Sequence, residues 1–413
     1  MNDTRFKKNF IWNMIGTTLN SFNSMFFMII ITRINGTEDA GVFTLLFSVA
    51  CLLYNIGIYS GRTFQVTDKS GKYNETEYVI HRVMTVSIMF IVGALYCTLK
   101  HFDGYRFALT MLLTEMKCLE ALSDCLYGVM QKNDELYKSG FSLTVKALSS
   151  LLAVFFVNLF FKNLVLSFVA VDIICTIVTF VYDFPSIKKY LQKEYSFRKA
   201  MTLFPVGFYA FAYYFLNVYL SNAAKYALDG KVTSSEQALF GIVLMPATLI
   251  NLCAIYLLQP YINRLGLLYS ENRVDEFRKS MKYISFGVIG IGVVALIGTT
   301  LLGVPVLNLV YGVDLTNYLK SLQFIIVGAT LIAIVTILST ALTTFRNTRI
   351  QFIIYLIVSG VILLISGIMV DTFGVNGGAY LYLVSTIMQF AFYVLAYHRE
   401  MNKWINQTKE SLT

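Results

Sequence analysis

Apolar runs of about 20 residues recur along the whole chain, each long enough to cross the hydrocarbon core of a bilayer. Within lipid a backbone satisfies its own polar groups only as a helix or a closed barrel. Barrel strands alternate apolar and polar residues over about 10 positions, and no stretch here alternates in that way. Composition points the same way: 56% of the 413 residues are hydrophobic and 14% charged, against about 25% charged in a typical soluble domain. An ordinary soluble globular protein is excluded. The expected fold class is an all-α polytopic membrane protein.

Twelve transmembrane helices are expected, at about 9–32, 40–61, 79–99, 107–130, 139–161, 163–183, 201–222, 237–259, 282–303, 319–344, 350–370 and 376–397. With the N-terminus inside, cytoplasmic loops hold about 24 Lys and Arg and outer loops about 7. Both termini are therefore expected to be cytoplasmic. The same asymmetry accounts for the net charge of +9, so no nucleic-acid partner is implied. The first apolar segment lacks a cleavage pattern and reads as a retained span. Outer loops reach only about 14–15 residues, too few for a soluble domain. The basic connection 185–200 divides the chain into an N-terminal six-helix lobe, 1–200, and a C-terminal six-helix lobe with a short tail, 201–413. Equal halves are a common transporter plan.

One stretch departs from the apolar pattern. Residues 106–131, RFALTMLLTEMKCLEALSDCLYGVMQ, have the length of a span yet contain Glu115, Lys117, Glu120 and Asp124. At 100° per residue, Arg106, Thr110, Lys117, Glu120, Asp124, Tyr127 and Gln131 share one face, and Glu115 points the opposite way. One charge at the centre of a lipid-facing helix costs about 2.5–3.5 kcal/mol. The stripe must therefore border protein or water.

Lys146 lies about two turns inside span 5, and Asp172 near the middle of span 6. Internal ion pairing would make these charges purely structural. A transport pathway or ion relay is the alternative, and the length of the stripe favours it. In span 1, Asn9, Asn13, Thr17, Asn20 and Ser24 share a face, as interhelical glue or as a cavity wall. Arg62 reads first as a snorkelling anchor. Pro205 and Pro246 fall inside spans 7 and 8, where a missing backbone donor bends a helix and makes them gating candidates. The six cysteines lie inside spans without paired spacing and read as buried, inert thiols. Three scattered histidines offer no metal site, and no catalytic constellation is present.

The joint order of several stretches resembles the bacterial flippases of lipid-linked polysaccharide repeat units, within the multidrug/oligosaccharidyl-lipid/polysaccharide exporter superfamily. These are KKNFIWNMIGTTLNSFNSM, TRINGTEDAGVF, IGIYSGRTFQVTD, the acidic block EMKCLEALSDCLYGVMQ with Lys146 in the next span, NAAKYAL, VYGVDLTNY and LTTFR. The resemblance spans essentially the full length. It implies alternating access in the bacterial plasma membrane, with an undecaprenyl-diphosphate-linked oligosaccharide head in a cationic cavity and its lipid tail in the bilayer. It also implies polysaccharide polymerase and glycosyltransferase partners.

On this reading Lys117 and Lys146 are the cavity cations, with Arg33, Arg62, Arg346 and Lys225 near the mouths. Glu120, Asp124 and Asp172 keep the cations satisfied between cycles, or with Glu115 carry a coupling proton or sodium ion; Asn13, Thr17 and Asn20 add polar wall. No cofactor is expected. A cation-coupled drug or metabolite exporter of the same fold would prefer acids to cations in its cavity. A membrane polysaccharide polymerase would need a larger outer loop than the seven or so residues that hold Glu38 and Asp39, so no enzyme is expected.

Overall fold

The computed structural model describes residues 3–59, 61–68 and 71–410. Secondary structure among them is helical: α1 (Asp3–Ile34), α2 (Thr37–Ile58), α3 (Gly61–Thr67), α4 (Glu75–Leu99), α5 (Gly104–Lys132), α6 (Leu136–Phe161) and α7 (Leu164–Val178) come first. There follow α8 (Phe184–Ile187), α9 (Phe197–Met201), α10 (Leu203–Leu228), α11 (Ser234–Ser270), α12 (Val274–Gly298), α13 (Val304–Tyr311), α14 (Leu319–Thr344) and α15 (Thr348–Glu410).

Among the described residues ten helices are long and apolar enough to cross a membrane. The charged α5 is not one of them, although its 29 residues give a length of roughly 43 Å. Conversely, α15 holds two helices in one run, because Gly374 breaks it at φ 56°, ψ −134°. That left-handed backbone is one glycine adopts without steric cost. Counting both parts of α15 and adding α5 gives twelve long helical segments, and the all-α polytopic membrane fold is as the apolar runs require.

The chain divides into two compact units, Met1–Phe215 and Leu216–Thr413. The division falls inside α10, fifteen residues beyond the connection singled out by charge. Residues at the start of α10 belong with unit 1 because Tyr59 donates to the Phe204 carbonyl at 3.0 Å and stacks on Phe211 at 4.7 Å. Tyr59 itself ends α2 with a left-handed φ of 47°.

In unit 1, α5 is the central element, packed by α2, α3, α4, α6 and α7. α1 lies along α6. Gly16 and Gly140 allow that approach, since a Cβ on either would collide with the facing backbone. The asparagine face of α1 begins here as glue: Asn9 donates to the Asp134 carbonyl at 3.1 Å and accepts from the Tyr137 amide at 2.9 Å. In unit 2, α14 is packed by α11, α12 and α15.

The prolines singled out from the sequence both lie inside membrane-length helical runs. Pro205 lies inside the helical span Phe197–Leu228, as expected, three residues past the break at Thr202 that separates α9 from α10. Pro246 is interior to α11, as expected. Pro260 is interior too, because α11 runs on to Ser270, past the expected end of that span. The thiols also differ: Cys97, Cys118, Cys125 and Cys175 are buried, whereas Cys51 is half-buried and Cys253 exposed.

The turn between α5 and α6 is fixed by charge. Glu135 accepts from Lys138 at 2.8 Å and from Lys189 at 3.0 Å. Burial alone would push its carboxyl up, but these bonds and the two positive charges hold it below the usual range. A depressed acid stabilises the fold above its unfolded value, near pH 4.3, and that contribution disappears as pH falls through the lower folded value. Glu135→Gln is therefore expected to lower Tm at pH 7 by about 2 °C or less. The difference from wild type should shrink below about pH 4; a gap unchanged from pH 7 to pH 3 would mean the ion pairs contribute nothing.

Candidate functional site

Unit 1 encloses a cavity of about 290 Å³ lined by α1, α2, α5, α6 and α7. Asn20, Asn23 and Ser24 supply one wall, Lys117, Glu120 and Ser123 a second, and Lys146 and Ser150 a third. Phe27 and Phe47 face it. Phe27 also meets Phe43 and Phe168 edge-on at 6.4 and 5.8 Å, and those two rings stack at 5.6 Å. This aromatic packing closes the apolar end of the cavity.

The stripe on α5 does face a polar interior, but only its middle does so. Lys117, Glu120 and Ser123 line the cavity, whereas Thr110 is buried and bonds back to the Arg106 carbonyl at 2.7 Å. Glu115 is exposed on the opposite face, as the helical phase requires.

The two lysines have different environments. Lys146 Nζ donates to Ser123 Oγ at 2.6 Å, Thr179 Oγ1 at 2.8 Å and Asp183 Oδ2 at 2.6 Å, so its three protons are all engaged. Lys117 Nζ makes one charged contact, with Glu120 Oε2 at 2.7 Å. Its remaining capacity faces the rings of Phe47 and Tyr54, at 5.0 and 5.4 Å from their centroids. Asn20 reaches the other oxygen of Glu120 at 3.4 Å. Lys117 is thus held by one acid and two aromatic faces, with donors to spare.

Asp183 was not singled out from the sequence because it ended its span. It is fully buried and its position depends on a π-helical turn, Thr179–Asp183. Pro185, just beyond, has no amide to continue the α-helical ladder and crowds the carbonyl four residues back, which favours the wider turn. Thr179 and Asp183, one such turn apart, both reach Lys146. A readable signal existed, since Asp172, Thr179 and Asp183 follow helical spacing.

Asp124 does not serve the lysines. It lies 3.8 Å from Arg62 Nε and 3.6 Å from Arg82 Nη2. Arg82, absent from the sequence candidates, is buried and donates to the Gly57 carbonyl at 2.9 Å. Thr85 bonds the same carbonyl at 2.7 Å. The buried run His81, Arg82 and Thr85 on α4 was its available signal. Arg62 is therefore tied to an intramembrane acid and is more than a snorkelling anchor.

Asp172 likewise pairs with neither lysine. It is 4% exposed, and among the described residues neither carboxyl oxygen has a hydrogen-bond partner. Its charged neighbour is another acid, Glu115. Asn13 and Thr17 lie outside the cavity wall; Thr17 turns back onto the Asn13 carbonyl. Arg33 is exposed in the last turn of α1. In unit 2, Arg346 is exposed just after α14. Lys225 lines a separate cavity of about 170 Å³ with Asn222, Asn251, Tyr382 and Gln389. Cys51 and Cys175 line the unit 1 cavity, so the thiols are not all remote from the polar interior.

No family model matches the chain. The capsular polysaccharide biosynthesis protein CapF of Staphylococcus aureus is 23% identical over 402 residues, covering 95% of this chain and 98% of that protein. Among solved structures, the lipid II flippase MurJ in an inward closed conformation matches at TM-score 0.72 and 13% identity, over 95% of this chain and 90% of that one. An inward-facing multidrug resistance MATE family transporter of the MOP superfamily matches at TM-score 0.69 and 11% identity, over 96% and 99%. These findings bear out the resemblance read from the sequence: the fold is that of this transporter superfamily, and a polysaccharide biosynthesis protein aligns almost end to end.

The Lys146–Asp183 pair can be tested apart from transport. Lys146→Gln strands a fully buried carboxylate, a loss of about 3–5 kcal/mol. Combining it with Asp183→Asn removes both charges and should recover most of that stability, read as thermal unfolding in detergent. A single variant as stable as wild type would show that the pair does not hold α6 to α7.

Proposed function

We propose that this chain is a flippase for undecaprenyl-diphosphate-linked oligosaccharides in a bacterial plasma membrane, serving cell-surface polysaccharide synthesis. The observation that carries this reading is Lys117: a cation on the cavity wall with unspent donors. A lipid diphosphate leaving water needs such a partner to offset its lost hydration. The nearly full-length likeness to a capsular polysaccharide protein supports the glycan part of the reading.

Both termini lie in the cytoplasm on this reading, as the distribution of Lys and Arg favours. The sugar–diphosphate head enters the unit 1 cavity, Lys117 exchanges Glu120 for a phosphate oxygen, and the lipid tail stays in the bilayer. Lys146, already saturated, shapes the wall and adds its field. Polymerase and glycosyltransferases act after and before this step. The exporter alternative is less favoured because two cations line the cavity and one of them, Lys117, is held by a single carboxylate.

Ion coupling we assign to Asp172 and its neighbour Glu115. An unpaired buried carboxylate is costly, and a proton or sodium ion would relieve that cost.

The direct test follows a fluorescent undecaprenyl-diphosphate oligosaccharide in liposomes. Purified protein should speed its appearance in the opposite leaflet; Lys117→Gln should lower that rate about 10- to 100-fold while Tm stays near wild type. Unchanged rates in this variant would discard the cation. No acceleration by wild type under either ion gradient would favour the small-molecule exporter.

Asp172→Asn should keep downhill flipping yet abolish the response to an imposed proton or sodium gradient. A response equal to wild type would place coupling elsewhere.

A further inference from the structure

Unit 2 carries a groove that the flippase reading does not use. It measures about 470 Å³ and lies between α12 and the C-terminal part of α15, with Leu338 of α14 in its floor. Arg278 and Lys282 stand one turn apart on α12, and His398 faces them from α15. The lining contains no Asp or Glu, and among the described residues neither Arg278 nor Lys282 forms an ion pair. The floor is apolar and closed: Met281 is 4% exposed and Met401 2%. Further along, Phe286 and Ile289 are 70% and 40% exposed, as suits side chains in contact with lipid.

The polarity of the groove runs along α12. Its cations lie in the second and third turns of the helix, and its apolar wall reaches Ile289, eleven residues beyond Arg278. Eleven residues rise roughly 16 Å, about half of a 30 Å hydrocarbon core. Charge at one end and a lipid-exposed apolar channel one leaflet deep match an anionic headgroup joined to acyl chains. Basic pockets between transmembrane helices on the cytoplasmic side bind such headgroups.

We propose that this groove is a binding site for an anionic diacyl phospholipid, such as phosphatidylglycerol, with its phosphate on Arg278 and Lys282 and one acyl chain along Phe286 and Ile289. The site is separate from the unit 1 cavity and stands whether or not the flippase reading does. By the positive-inside count it opens to the cytoplasmic leaflet.

Native mass spectrometry of the full chain, titrated with phosphatidylglycerol or phosphatidylcholine, tests this. Wild type should prefer phosphatidylglycerol. Arg278→Gln with Lys282→Gln should weaken that binding about tenfold and leave phosphatidylcholine binding unchanged. Ser285→Trp, which fills the groove and keeps both cations, should weaken it as well. Lys193→Gln with Arg198→Gln, in the basic connection of unit 1, should bind like wild type. Three results would overturn the proposal: undiminished phosphatidylglycerol binding in both groove variants, an equal loss in the unit 1 control, or displacement of phosphatidylglycerol by stoichiometric undecaprenyl phosphate. The last would make the groove a polyprenyl site.

Discussion

Unit 1 is organised by the need to neutralise charges that α5 carries into the packed interior of the unit. Lys117 has Glu120 beside it on the same helix, Asp124 has Arg62 and Arg82, and Ser123 shares Lys146 with Asp183. Each partner comes from a helix packed on α5 or from the helix itself. The low-dielectric surroundings make every unmade contact costly, so these pairs fix which faces of α4, α6 and α7 meet the central helix. Helix packing and charge pairing are one constraint here.

The same constraint separates a structural cation from an available one. Lys146 spends every donor on protein oxygens, including a carboxylate that reaches it through a π-helical turn. Lys117 spends one, and the rest of its surroundings are aromatic rings. Rings attract a cation without saturating its hydrogen bonds. Lys117 has one carboxylate partner, on its own helix, whereas Lys146 is held by three oxygens from two other helical segments.

Unit 2 handles polarity differently. Its cavity around Lys225 includes several amides and hydroxyls, and the cations of its groove lie in the second and third turns of α12. Its helices meet through aromatic contacts, as at Phe277, Phe345 and Trp404, and through neutral polar pairs such as Ser339 with Gln351 and Ser321 with Asn376.

Much of this was legible in the chain. The apolar runs dictated a helical membrane fold, because lipid offers the backbone no other partner. Helical phase alone put Lys117 and Glu120 on an interior face and Glu115 on the other. The gap left between the last two expected spans, 370 to 376, contains Gly374, where the backbone breaks. What the sequence could not supply was pairing across helices, since periodicity gives the face of a helix and not its neighbour. Asp172 was expected to serve the lysines, yet Asp183 does so, because Lys146 lies at the level of Thr179 and Asp183, about three turns along the same face from Asp172. Asp124 was assigned to the cavity cations, yet Arg82 on α4 takes it. The sequence by itself determined the solvent, the helices and the faces that must be buried; tertiary structure decided which charges meet, and so which lysine is saturated by protein oxygens.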